Sequence, residues 1–199
     1  GSPCTTTAPT FRRASGRSGP ARISCRRLWF TMRKPGVRIE RATPAEIEHV
    51  ARNMRQRDFE EFSALSRENG REALARDLAH RFSERSDTLC AALDEPIAIG
   101  MTVLNRPRVI TLGFFATDRF PEIAIGVTRF VRELLERFES VGVHRIEAVS
   151  LDGHEHAHRW LGLLGLEPET GPLRNYGRSG ETFKQFARVK NAGPSGLRD

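Results

Sequence analysis

Residues 154–158 read HEHAH, and His154-Glu155-x-x-His158 has the spacing of the zinc-protease motif H-E-x-x-H. In that motif two histidines one helical turn apart bind the metal, and the glutamate works as general base. A third histidine, His156, lies about 200° around from His154 at 100° per residue, so it falls off that face. The position of the motif speaks against zinc. Asp152-Gly153 puts HEHAH in the first turn of a helix directly after a strand, and no H-x-x-G-x-x-H continuation follows. Glu181, a downstream carboxylate, falls beside a hairpin turn. A catalytic zinc also needs an open coordination position and oriented partners behind its ligands, and the sequence offers no sign of either. The expectation is no metal site; solvated histidines at a helix start are the plain reading.

The elements that must position these residues are legible on both sides. VRIERA (37–42) alternates like a strand, and Thr43-Pro44-Ala45-Glu46 combines an N-cap, a proline at the first helical position and a capping-box glutamate. A helix follows through IEHVARNMR, and two more helical stretches run to about Arg85 with a break near Asn69-Gly70. TLCAAL (88–93) and IAIGMTVLN (97–105) read as strands around the turn Asp94-Glu95-Pro96. VITLGFFAT (109–117) is a nearly continuous apolar run, as in a central strand covered on both faces. Pro121 and Glu122 open a long helix whose apolar stripe is Val127, Phe130, Val131, Leu134 and Phe138. HRIEAVSL (144–151) is the next strand, with Glu147 read as exposed on it. The HEHAH helix follows and Gly165 ends it. LRNY and ETFKQFARV flank Gly177-Arg178-Ser179-Gly180 as a C-terminal hairpin.

Ala157, Trp160, Leu164, Gly165 and Leu166 resemble the last conserved block of the GCN5-related N-acetyltransferases (GNAT), where a strand runs into N-x-x-A-x-x-F-Y-x-x-L-G-F. His154 stands where the asparagine would be. The order of elements over residues 37–190 is also similar to that superfamily. The resemblance implies an α+β fold, layered α/β/α, with a mixed central sheet of about six to seven strands and helices on both faces. It also implies acyl transfer from acetyl-CoA to an amine. Arg55-x-x-Asp58-x-x-Glu61, the FATDRFPE loop and Arg159-Trp160-Leu161 resemble, more narrowly, the acetyltransferase-like proteins of tailed phages and prophages, some of them internal virion proteins.

That chemistry needs backbone donors for the thioester carbonyl, an anion cradle for the pyrophosphate, a base for the amine and an acid for the leaving thiolate. The resemblance assigns the strand end Phe115, Ala116 and Thr117 to the cofactor, with Ala157 and Leu161 from the helix. The family's R/Q-x-x-G-x-G/A cradle is represented only by Arg119 and Gly126. Pro121 removes one N–H there and Glu122 adds negative charge where phosphate would sit. The family's general-acid tyrosine falls at Leu161, and the single tyrosine, Tyr176, lies in the hairpin. Asp118, as a base or as a helix N-cap, and His154, as a proton shuttle, are the candidate catalytic residues.

Charge and composition bound the rest. The chain has 199 residues, 38% hydrophobic and 29% charged, as a globular domain has, and no apolar run approaches the ~20 residues that span a bilayer. Cys4, Cys25 and Cys90 have no C-x-x-C spacing and form no disulfide framework. Of the 32 basic residues, six arginines lie in residues 1–31 with none of the 25 acidic ones, which leaves residues 32–199 at +1. Residues 1–31 therefore read as a basic disordered leader or non-native extension, with Met32 a candidate start. A transit peptide and a nucleic-acid-binding arm are the alternatives. The domain spans 32–190, and 191–199 is a short tail. Two functions stay open: an acyl-CoA-dependent N-acyltransferase with a degenerate pyrophosphate loop, acting on an unidentified amine in the cytoplasm, or a non-enzymatic phage-type accessory protein that keeps the fold among virion proteins.

Overall fold

The structure is a computed structural model and describes residues 32–34, 36–83, 85, 87–169 and 171–190; the leader and the tail read from the sequence lie outside the described residues. Strands β1 (Met32–Lys34) and β2 (Val37–Arg41) precede helices α1 (Pro44–Arg52), α2 (Gln56–Ala64) and α3 (Arg71–Ser83). Strands β3 (Thr88–Ala92), β4 (Pro96–Arg106) and β5 (Val109–Ala116) follow. Next come a 3-10 turn (Phe120–Glu122), α4 (Ala124–Ser140), β6 (Arg145–Leu151), α5 (Glu155–Leu163), β7 (Glu167–Pro168) and β8 (Phe183–Val189).

The capping box at the start of α1 is present in full: the Thr43 side chain accepts from the Glu46 N–H, and the Glu46 carboxylate accepts from the Thr43 N–H. The described strands form one eight-stranded sheet in the order β1-β2-β3-β4-β5-β6-β8-β7. Six strands are five residues or longer, and the short β1 and β7 extend the two edges. All neighbours are antiparallel except β5 and β6, which are parallel and so need the crossover that α4 provides. One core packs α1 and α3 on Ile99, Met101 and Phe115; the other packs α4 and α5 on Ile97, Ile110, Ile146 and Phe186. The α+β layering expected from the sequence is thus present.

Two details differ from the sequence reading. LRNY (173–176) is no strand: Leu173 makes a single bridge to Phe183, and β8 ladders instead with β6 on one side and Glu167–Pro168 on the other. Gly171-Pro172 interrupts the segment, and the proline has no N–H to give a ladder. Glu147, expected to be exposed, is buried; Arg145 donates to it at 2.7 Å and Arg106 at 3.3 Å. Among the described residues no helix is long and apolar enough to cross a membrane.

Candidate acyl-transfer site

Strand β5 carries the buried run expected of a centre strand at both ends, yet residues 111–114 in its middle are half-buried. The cause lies in its parallel partner. The β5–β6 ladder joins Val109 to Arg145, Ile110 to Ile146 and Thr111 to Glu147, and ends there. Beyond Thr111 the two strands part, and a cleft of about 550 Å³ opens between them. Leu112 and Phe114 line one edge, Ala148 and Ser150 the other, and Ala157, Trp160 and Leu161 of α5 close over it.

Helix α2 reaches into this split. Asp58, 2% exposed, accepts the Ala116 N–H at 2.8 Å on the β5 side and holds Arg55 in a bidentate pair at 2.8–3.1 Å. One turn further on, Glu61 Oε2 accepts the Leu151 N–H at 2.8 Å and the Ser150 hydroxyl at 2.7 Å on the β6 side. His154 lies between these carboxylates, its Nδ1 3.1 Å from Glu61 and its Nε2 3.5 Å from Asp58. The ring reaches them because Gly153, at φ +88°, turns the chain sharply after β6 and leaves His154 at the N-cap of α5. Its side chain makes no capping bond, being turned inward. Burial pushes the Asp58 carboxyl up, against the opposing pull of Arg55, the Ala116 N–H and His154. The far end of α2 is fastened too: the Arg178 N–H donates to Ala64 O at 2.8 Å, and its guanidinium to Glu68 O at 2.8 Å.

The histidines of HEHAH have three separate environments. His154 faces Asp58 and Glu61; His158 Nε2 lies 3.1 Å from Leu151 O, with its ring 5.0 Å from that of Phe186; exposed His156 accepts from Arg159. Burial pushes the His158 imidazole below its usual value. Among the described residues no three His, Cys, Asp or Glu side chains are gathered to hold a metal ion.

The residues assigned to the cofactor divide. Ala157, Leu161 and His154 line the cleft. Phe115 points to the opposite face and meets Phe62 edge-on at 5.2 Å. Both backbone groups of Ala116 are taken at the start of α2, its N–H by Asp58 and its C=O by the N–H of the N-cap Arg55. Thr117 pairs its N–H with Ile97 O, and its buried hydroxyl has no hydrogen-bond partner. Asp118 is exposed beyond the end of β5, and no side chain caps the 3-10 turn or α4. The carboxylates brought to His154 are Asp58 and Glu61, not Asp118.

At the start of α4, Arg119 donates to both oxygens of Glu122 at 2.8 Å, to Glu95 at 2.8 Å, and pairs with Asp94 at 3.0 Å. These bonds hold Glu122 below the usual carboxylate range. One guanidinium is shared by three carboxylates, so the loop is net negative. A Cβ on Gly126 would meet Val37 at 3.8 Å, an ordinary contact, so no close backbone approach requires the glycine. The cleft is wide and apolar enough to admit the arm of a CoA thioester, but the loop does not fit its pyrophosphate.

Asp58 and Glu61 entered the sequence reading only through the Arg55-x-x-Asp58-x-x-Glu61 resemblance, which gave them no role in a site. The available signal was their spacing: Asp58, Glu61, Phe62 and Leu65 share one face of α2, where two acids interrupt an otherwise apolar stripe. Trp160 is a second addition; its indole N–H donates to Thr128 at 2.9 Å, and its ring lies 4.5 Å from Phe114 and 6.0 Å from Phe120.

Comparison with solved structures gives the fold its name. The GNAT-family acetyltransferase from Bacillus anthracis superposes with a TM-score of 0.61 at 12% identity, over 80% of this chain and 98% of that one. The GNAT phosphinothricin acetyltransferase from Sinorhizobium meliloti, solved with acetyl-CoA, superposes with a TM-score of 0.60 at 16% identity, over 80% and 91%. The ribosomal-protein-S5-alanine acetyltransferase from Vibrio fischeri gives 0.57 at 12% identity, over 81% and 97%. At the level of sequence no family model and no curated protein matches. The chain has the GNAT fold.

Proposed function

We propose that this protein is an acyl-CoA-dependent N-acyltransferase whose donor is held mainly by its pantetheine arm and only weakly by its pyrophosphate. The observation that carries this reading is the parting of β5 and β6 beyond Thr111 and Glu147, which opens the cleft with His154 on its wall. In the reaction an acyl thioester and an ammonium group give an amide, a thiol and a proton. The C–N bond forms at the carbonyl carbon as the C–S bond breaks. Glu61 orients the His154 ring through Nδ1; Nε2 faces Asp58 at 3.5 Å, and the incoming amine replaces that contact and gives Nε2 its proton. Glu61 places negative charge beside it, which favours a cationic acceptor, while the charge of Asp58 is matched by Arg55. Leu161 has no proton to give, so the departing thiolate takes one from water.

A second reading has its own support. Asp58 and Glu61 already satisfy strand N–H groups in the split, and the acidic ring around Arg119 opposes phosphate. Both features favour a protein that keeps the fold without turnover, as in phage- or prophage-type virion-associated and accessory proteins. Calorimetry with acetyl-CoA separates the two. The unmodified chain is expected to bind in the high-micromolar range or weaker, and Glu122→Gly, which removes one of the three carboxylates around Arg119, to bind more tightly. No binding by either protein would favour the non-enzymatic reading. Low-micromolar or tighter binding by the unmodified chain would refute the reasoning about the acidic ring.

A further inference from the structure

On the α4 and α5 side of the split, the cleft widens between the helices and the sheet. Its floor is built of small residues from three strands, Ala91, Ala98, Gly100 and Ala148. Its roof is Phe130 and Leu134 of α4 with Trp160 of α5. Protein interiors ordinarily close such space, leaving few voids larger than a water molecule. Neighbouring atoms do not demand the small side chains here: a Cβ on Gly100 would meet only Phe114 Cδ2, at 3.9 Å. The charged side chains Arg55, Asp58 and Glu61 meet the split together with His154, whereas the wall beneath α4 is Ile39, Leu89, Val127 and Leu134. The chamber therefore suits a molecule with a polar head at His154 and a long apolar remainder. An aliphatic-lined cavity of about 150 Å³ holds a benzene ring. The cleft measures about 550 Å³ over both faces of the split, and the share of it beneath α4 has room for more hydrocarbon than one ring, a chain on the order of ten carbons.

We propose that this chamber holds the aliphatic chain of the acyl donor, so that the substrate class is a medium-chain acyl thioester in place of an acetyl one. The thioester carbonyl lies at the split beside His154, and the chain runs over Ala98 and Gly100 beneath α4. The transfer step rests on the function proposed above; the binding of the chain does not.

The test uses the full chain and displacement of a fluorescent fatty acid by straight-chain fatty acids from butyrate to palmitate. Affinity is expected to rise roughly fourfold for each added methylene and to level off near decanoate. Gly100→Leu, which fills the floor, is expected to move the plateau to shorter chains while the far-UV spectrum stays unchanged. Affinity independent of chain length, or failure of the probe to bind, overturns the proposal, and this holds even if the variant does not fold. Calorimetry with decanoate, decanoyl-CoA and CoA then separates the two readings. Decanoyl-CoA binding more tightly than decanoate supports a donor chain. Decanoate binding with no gain from CoA upholds the chamber but overturns its assignment to a CoA donor. CoA binding without decanoate binding overturns the chamber and leaves the transferase reading intact.

Discussion

Replacing Asp58 by alanine tests whether the buried carboxylate holds the split together. Its oxygens satisfy the Ala116 N–H at 2.8 Å and pair with Arg55 in bidentate geometry. Removing them leaves a buried N–H without a partner, a cost of about 1–3 kcal/mol. It also leaves a partly buried guanidinium uncompensated; breaking a buried pair from one side costs about 3–5 kcal/mol in all. Taking the second range as the total, a domain of this size should melt about 6–20 °C lower. Asp58→Asn keeps an acceptor for Ala116 but puts an NH2 where one oxygen accepted from Arg55, so it should fall about 1–2 kcal/mol below the unmodified protein. The pH dependence has a definite sign. Burial raises the folded-state value of the Asp58 carboxyl above its unfolded value. The stabilisation that protonation supplies is complete below the unfolded value and is lost as pH rises through the folded one. The gap between the unmodified protein and Asp58→Asn should therefore narrow as pH rises through the carboxylate range. Urea unfolding of the three proteins at several pH values measures all of this. A loss under 1 kcal/mol for alanine, or a gap that widens with pH, would refute the reasoning.

Two further outcomes are expected. The Cys90 thiol is buried and pushed up to about 12 by that burial, so in a Cys4→Ser, Cys25→Ser background it should not react with a thiol reagent at pH 8 until the protein unfolds; reaction within minutes in the folded state would contradict the packing around β3. Protein purified without a histidine tag should carry no stoichiometric zinc by metal analysis; near-stoichiometric zinc lost in the His154→Ala, His158→Ala double variant would overturn the separate environments assigned to these histidines.

Much of the fold was legible because its signals are local. Thr43, Pro44 and Glu46 specify the start of α1 through bonds made within four residues, and Gly165, at φ +82°, ends the α5 segment as a residue without a Cβ can. The continuous apolar run of β5 announced its place in the sheet's interior. The site was less legible because it is made by distant partners. Where a parallel ladder stops is set by the two strands' divergence, and no pattern within VITLGFFAT marks Thr111 as the last rung. Asp58 and Glu61 gain their meaning only when α2 is laid across strands reached much later in the chain. The spacing Arg55-x-x-Asp58-x-x-Glu61 stood out in the sequence, but nothing in it told what the two acids would meet. The weak cradle, by contrast, was visible as Pro121 and Glu122, and what the structure adds is the grip of Glu122, Glu95 and Asp94 on Arg119.

Beyond Thr111 and Glu147, β5 and β6 do not bond to each other, and both are bonded to α2. The helix is thus a strut whose length sets how far the split stands open, with Arg178 anchoring its far end. Widening the split at either strand must strain the same strut. The Ala116 and Leu151 amides should then exchange hydrogen with solvent in one cooperative opening. A ligand pressing on one side of α2 would change affinity on the other, and by linkage the influence would run equally in both directions.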